Sequence, residues 1–128
     1  DLAIETRFGR AWAGWENALA SIDSNGNAYE APAQYARAFS RLENHYFANN
    51  LFLKPGQGIL ENMPFLLNTE GHIVQGRYDM ICPPHTAWNL AKSWPKSHLK
   101  IVGNAGHALS DAPISNELVK IMDELRTK

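Results

Sequence analysis

Two short β-branched runs constrain this chain more than anything else in it. Each is followed by a glycine-bearing loop and then by one residue fit for acid–base chemistry. The first is His72-Ile73-Val74-Gln75-Gly76-Arg77-Tyr78-Asp79; the second is Leu99-Lys100-Ile101-Val102-Gly103-Asn104-Ala105-Gly106-His107. Runs of this kind read as buried strands, here over residues 72–76 and 99–103. The segment from Pro83 to Pro95 between them reads as one helix, with Pro84 in its first turn and Pro95 ending it. Strand, helix, strand requires two parallel strands joined by a right-handed crossover. Both following loops then leave the same sheet edge, at the carboxyl ends of the strands, where open α/β sheets build their sites. Topology thus brings Asp79 and His107 together. An Asp that orients a His is two-thirds of a nucleophilic triad.

The residues before this unit read as helical. Phe8, Trp12, Trp15 and Leu19 recur on one face of a helix within residues 1–22. Tyr35, Phe39, Leu42 and Tyr46 do the same in a helix from Pro32 to Phe47. The cluster Ser24-Asn25-Gly26-Asn27 reads as a turn between them. An irregular connection through Lys54-Pro55-Gly56-Gln57-Gly58 leads to a short helix at Ile59–Leu67, and a last helix is expected from Asn116 to Arg126. That last helix has Leu118, Ile121, Met122 and Leu125 on one face. Only two strands are visible, and a two-stranded parallel sheet does not stand alone, so the pattern reads as a piece of a larger α/β protein.

Composition excludes several classes. A formal net charge of −1 from 12 basic and 13 acidic residues is no footprint for nucleic acid. No apolar run approaches the ~20 residues of a membrane span, and no signal-peptide pattern opens the chain. The single Cys82 can form no internal disulfide, which suits a reducing, cytoplasmic setting. It is expected to be an inert buried thiol. Trp88 and Trp94 are expected in the core, and His72, His85 and His98 show no metal-ligand spacing.

Glu16 and Glu43 form a second constellation. On a helical wheel Phe39, Glu43 and Phe47 lie within ~80° of one another, so Glu43 falls inside an aromatic stripe. Glu16 follows Trp12 by four residues and Trp15 by one. A carboxylate on an apolar face is unfavourable unless paired. Three readings stand: an internal ion pair, for example with Arg7, Arg37 or Arg41; a Glu at the stripe's edge reaching water; or two acids with aromatic walls around a ligand amine.

The residues also carry a resemblance. Gly76-Arg77-Tyr78-Asp79, Cys82-Pro83, Ala87-Trp88-Asn89-Leu90, Trp94-Pro95 and Gly106-His107 resemble the C-terminal part of proline iminopeptidases (prolyl aminopeptidases) of the α/β-hydrolase superfamily. Ala11-Trp12, Trp15-Glu16 and Arg41-Leu42-Glu43-Asn44-His45-Tyr46-Phe47 resemble that family's helical cap. The resemblance implies an α/β fold: two parallel strands with flanking helices, the C-terminal part of an α/β-hydrolase, preceded by part of the cap. It divides the chain into a cap portion at 1–50, a connection at 51–70 and a core portion at 71–128. It also implies a serine exopeptidase that releases N-terminal proline from peptides, with no metal or organic cofactor. Asp79 and His107 match the triad Asp and His, and Glu16 and Glu43 match the cap acids that hold the substrate's free amino end.

Departures from the family are visible too. The chain has no G-x-S-x-G turn and no HGGPG-like oxyanion loop, and Asn68-Thr69-Glu70-Gly71 replaces the usual apolar-Pro approach to the Asp strand. The chain alone is therefore expected to be inactive. It is expected to self-associate or to pair with an N-terminal half that supplies the serine. The alternative is a stand-alone, non-catalytic binding or interaction module derived from a capped hydrolase.

Overall fold

The two β-branched runs form the sheet. In the computed structural model, which describes residues 1–22 and 31–127, β1 (Gly71–Gly76) and β2 (Ser97–Val102) pair in parallel. The register runs without offset from Gly71 opposite Ser97 to Gly76 opposite Val102. Each strand starts one or two residues earlier than the β-branched run alone indicates. The crossover helix, here called α3 (Pro84–Ser93), has its proline in the first turn, where the missing N–H has no intrahelical partner to lose. Trp94 ends it, its backbone N–H still reaching Ala91, while its indole N–H donates to the carbonyl of Thr69 at 2.8 Å. The indole thereby ties the end of the crossover to the entry of β1.

Two helices precede the sheet. α1 (Leu2–Ala20) is capped by Asp1, whose side chain accepts the N–H of Ala3 at 2.8 Å. α2 (Ala33–Ala48) lies against it. The Ser24–Asn27 cluster lies outside the described residues. The aromatic stripes contribute only in part to the contact between the two helices. Phe8, Trp15, Tyr35, Leu42 and Tyr46 are exposed, while Gly9, Ala13, Ala31 and Ala36 are buried. Small residues let the two backbones approach closely; of the rings, Phe39 packs on this alanine cluster and Trp12 is half-buried beside it, while the others stand outside. Polar links flank it: Arg37 donates to Thr6 Oγ1 at 2.7 Å, Arg10 Nε to the Ala31 carbonyl at 3.1 Å, and Arg41 pairs with Glu5.

The connection from α2 to the sheet turns through Asn50, Leu51 and Phe52, all in the left-handed region with φ of 51°, 57° and 59°. The expected helix at 59–67 is a 3-10 segment, Leu60–Leu66, broken at Asn62. Pro64 lies inside it, and a residue without an N–H cannot sustain an α ladder. The last helix, α4 (Ala112–Arg126), begins four residues before Asn116, the start that periodicity suggests. Its proline falls in the first turn, and its buried anchor is Ile114. Leu118 and Ile121 are half-buried, but Met122 and Leu125 are exposed. Among the described residues no large side chain is fully buried; the interior consists mainly of alanines with Met63 and Ile114. Trp88, expected in the core, stands 62% exposed on α3, because the sheet face that α3 covers meets only the helix's inner side, at Ala87.

Candidate active site

The site is built where the two post-strand loops touch. Past β1, the N–H of Arg77 donates to the Val102 carbonyl at 2.9 Å, and that of Tyr78 to the Ala105 carbonyl at 3.0 Å. A side chain at Gly76 would bring its Cβ within 1.9 Å of the Gly106 oxygen, so only glycine lets the loops close. Asp79 is thereby held 6% exposed beneath the loop of His107. A carboxylate in that position needs its acceptor sites filled. The backbone N–H groups of Ile81 and Cys82 fill Oδ1, at 3.0 and 2.7 Å. The Gln75 side-chain amide fills Oδ2 at 3.0 Å, and His107 Nδ1 lies 3.0 Å from the same oxygen. An ionised carboxylate only accepts, so the proton of a neutral His107 sits on Nδ1. Nε2 is then an unprotonated base on a side chain that is 42% exposed. The pair expected from topology is brought together as a hydrogen-bonded acid–base couple.

The loop carrying His107 is also clamped from the helical side. Asp111 accepts the Gly106 N–H at 2.9 Å through Oδ2 and the Ser21 hydroxyl at 2.8 Å through Oδ1. The backbone N–H groups of His107 and Ala108 both donate to the carbonyl of Ala20, the last residue of α1, at 2.7 and 2.9 Å. A Cβ at Gly106 would lie 2.6 Å from that carbonyl oxygen, so this contact too depends on glycine. Orphan carbonyls at a helix end thus receive donors from the His loop.

Glu16 stands one turn before Ala20, about 6 Å back along the helix axis. It is half-buried, and its carboxyl is pushed above the ordinary value of 4.5, first by burial and then by the negative charge of Glu43. The charge of His107 pulls it the other way, so Glu16 is within electrostatic reach of both partners. Glu43 accepts the indole N–H of Trp12 at 2.6 Å through Oε2. The ring of Trp12 lies 5.8 Å from that of Trp15 and 6.4 Å from that of Phe47. None of the three arginines considered as partners is paired with either acid: Arg41 is with Glu5, Arg37 with Thr6, and Arg7 lies 4.8 Å above the Phe8 ring.

Cys82 is exposed rather than buried, because the chain runs over the surface between Asp79 and α3. Its sulfur is still partly desolvated, and this, with the carboxylates of Asp79 and Glu16, pushes its thiol up. A thiol held protonated is a poor nucleophile. His72 and His98 stack across the strands with ring centres 5.0 Å apart and Glu70 nearby; among the described residues no group of side chains is arranged to hold a metal ion. Three residues that shape the site were not singled out from sequence: Gln75, Asp111 and Trp12 as a donor. Gln75 alone carries a visible signal, a polar residue inside a β-branched run that a sheet would half-bury.

No family model matches the chain. Curated proteins do. The chain is 40% identical to a proline iminopeptidase of Arabidopsis thaliana, over 98% of this chain and 34% of that protein. It is 38% identical to one of Xylella fastidiosa, over 96% of this chain and 40% of that protein. It is 39% identical to one of Neisseria gonorrhoeae, over 91% of this chain and 36% of that protein. The chain resembles proline iminopeptidases over nearly all of its own length and spans between a third and two-fifths of theirs. Those relatives are α/β-hydrolases, and the parallel strands with flanking helices seen here are a part of that architecture.

Proposed function

We propose that this chain is the acid–base and substrate-docking part of a proline iminopeptidase, a serine exopeptidase that releases N-terminal proline from peptides. The observation that supports this best is the Asp79–His107 couple, with Nδ1 at 3.0 Å from a buried carboxylate and the ring's other edge open. In the reaction His107 Nε2 takes the proton of an attacking serine and returns it to the leaving amine. Asp79 fixes the tautomer and stabilises the imidazolium that forms between those steps. The serine and the oxyanion donors belong to a part of the protein other than these residues. Glu16 and Glu43 receive the prolyl NH2⁺, and the rings of Trp12, Trp15 and Phe47 wall the site. Recognition of that charge is what lets an exopeptidase refuse an internal proline. Among the described residues Arg7, Arg37 and Arg41 are engaged away from both acids, which supports this role over an ion pair with them.

The setting proposed is cytoplasmic, with peptides as substrates; no described helix is long and apolar enough to cross a membrane. The exposed Trp88, Val119 and Met122 and the unpaired outer edges of β1 and β2 are proposed as surfaces for the remaining hydrolase core or, in its absence, for a second copy. The test of function is a pair of substrates given to a protein that joins this chain to its nucleophile-bearing part. Prolyl arylamide should be hydrolysed and N-acetylprolyl arylamide should not. Equal cleavage of both would remove the amine-binding role, and cleavage of neither would remove the reading as a whole.

A further inference from the structure

The structure assigns a positioning role to Gln75: its side-chain amide holds the Asp79 carboxylate in the orientation that presents Oδ2 to His107. The assignment rests on reading Asp79 and His107 as an acid–base pair. Gln75 is the next-to-last residue of β1, opposite Ile101. From there its Nε2 lies 3.0 Å from Asp79 Oδ2, 3.2 Å from the Cys82 carbonyl and 3.1 Å from the Gly76 carbonyl. One amide group thus spans the whole turn from Gly76 to Cys82, with the carboxylate in the middle.

The geometry at Asp79 makes the choice of glutamine meaningful. Oδ1 is already fixed by two backbone N–H groups. Those two bonds leave the carboxylate free to tilt about the axis through Oδ1, and only contacts at Oδ2 resist that tilt. Oδ2 has two: His107, which moves and changes charge during a reaction, and Gln75, which does neither. The amide is neutral at every working pH and donates without offering the imidazole a competing base. A donor of fixed charge can steady the carboxylate both when His107 is neutral and when it is protonated.

Two variants separate positioning from mere packing. Gln75→Met keeps length and volume and removes the donor. Gln75→Glu keeps the shape but donates only when its own carboxyl is protonated. The first readout uses this chain with no substrate: nitrogen-15 spectra of the His107 imidazole. Wild type should hold the neutral ring as the Nδ1–H tautomer, with slow exchange of that proton. Gln75→Met should show a mixed tautomer population and faster exchange at an unchanged fold. The second readout uses the protein that supplies the nucleophile. Gln75→Met should lose about ten- to a hundredfold in kcat, the worth of one hydrogen bond to a charged group, with KM within about twofold. Gln75→Glu should approach wild-type kcat, compared at the same pH, toward the acid end and fall away as pH rises. An unchanged tautomer, exchange rate and kcat in Gln75→Met would overturn the assignment. So would a Gln75→Glu defect that is the same at every pH, since a packing fault does not titrate. If the wild-type protein shows no prolyl hydrolysis, the proposed function fails, while the imidazole spectra still decide the role of Gln75.

Discussion

Asp79 and Glu43 are both carboxylates beside aromatic or loop walls, and they are held in opposite ways. Asp79 meets two backbone N–H groups, a side-chain amide and an imidazole, and is nearly sealed from water. Glu43, on the helical pair, accepts one indole N–H among the described residues and is only half-buried. The sheet end immobilises its acid on all sides. The helix pair anchors one oxygen of its acid and leaves the rest of the group's capacity open. An acid whose task is to orient a neighbouring ring needs the first arrangement. An acid that must receive a cation from solution needs the second, because a ligand amine must find unfilled acceptor sites.

Removing charge at each acid should therefore have effects of different size and kind. Asp79→Asn should lower kcat on the order of a thousandfold or more, because an amide can donate to the ring and stabilise the wrong tautomer. KM should barely move, and a loss confined to KM would reverse the assignment of roles. Glu43→Gln should raise KM for prolyl substrates by about ten- to a hundredfold, the range for a lost hydrogen bond to a charged group, with kcat and melting temperature little changed. A collapsed melting temperature with intact KM would make Glu43 a structural residue instead.

The smallest effect concerns stability and Glu16. Its carboxyl titrates above 4.5 when folded, so over the window between that value and the folded one the folded chain keeps a proton that the unfolded chain has released. The stability linked to this group is full below about pH 4.5 and is lost as pH rises through the folded value. Glu16→Gln has no such loss. It should melt slightly higher than wild type at pH 7, with the gap closing toward pH 4, in thermal scans at matched ionic strength. A gap independent of pH would show that the side chain's charge is not what burial opposes.

Strands, crossover and the meeting of Asp79 with His107 were legible because each is announced locally. β-branched residues in a row, a glycine where loops must touch and a proline in a first turn act through their immediate neighbours. The aromatic stripes of α1 and α2 gave the helices but not their contact, because periodicity reports that a face is apolar and not what covers it. Gly9, Ala13 and Ala36 meet instead, and small residues give a weaker pattern than large ones. Asp111 was invisible for another reason: its partner Ser21 lies 90 positions away, and no local spacing encodes that bond. Cys82 was expected to be buried from its residue type, while the turn around Asp79 carries it to the surface.

One carbonyl has a mechanical consequence. Ala20 receives both amides of the loop that carries His107, so the end of the first helix and the proposed base form one lever. Any large swing of that helix would pull on the imidazole that meets Asp79. A bend at the left-handed turn Asn50–Phe52, beyond the second helix, would load the same bonds, since the two helices pack together. Amide hydrogen exchange reads this directly: protection at His107 and Ala108 lost together with that of the helical pair shows that they move as one, and protection that persists while the pair opens separates them.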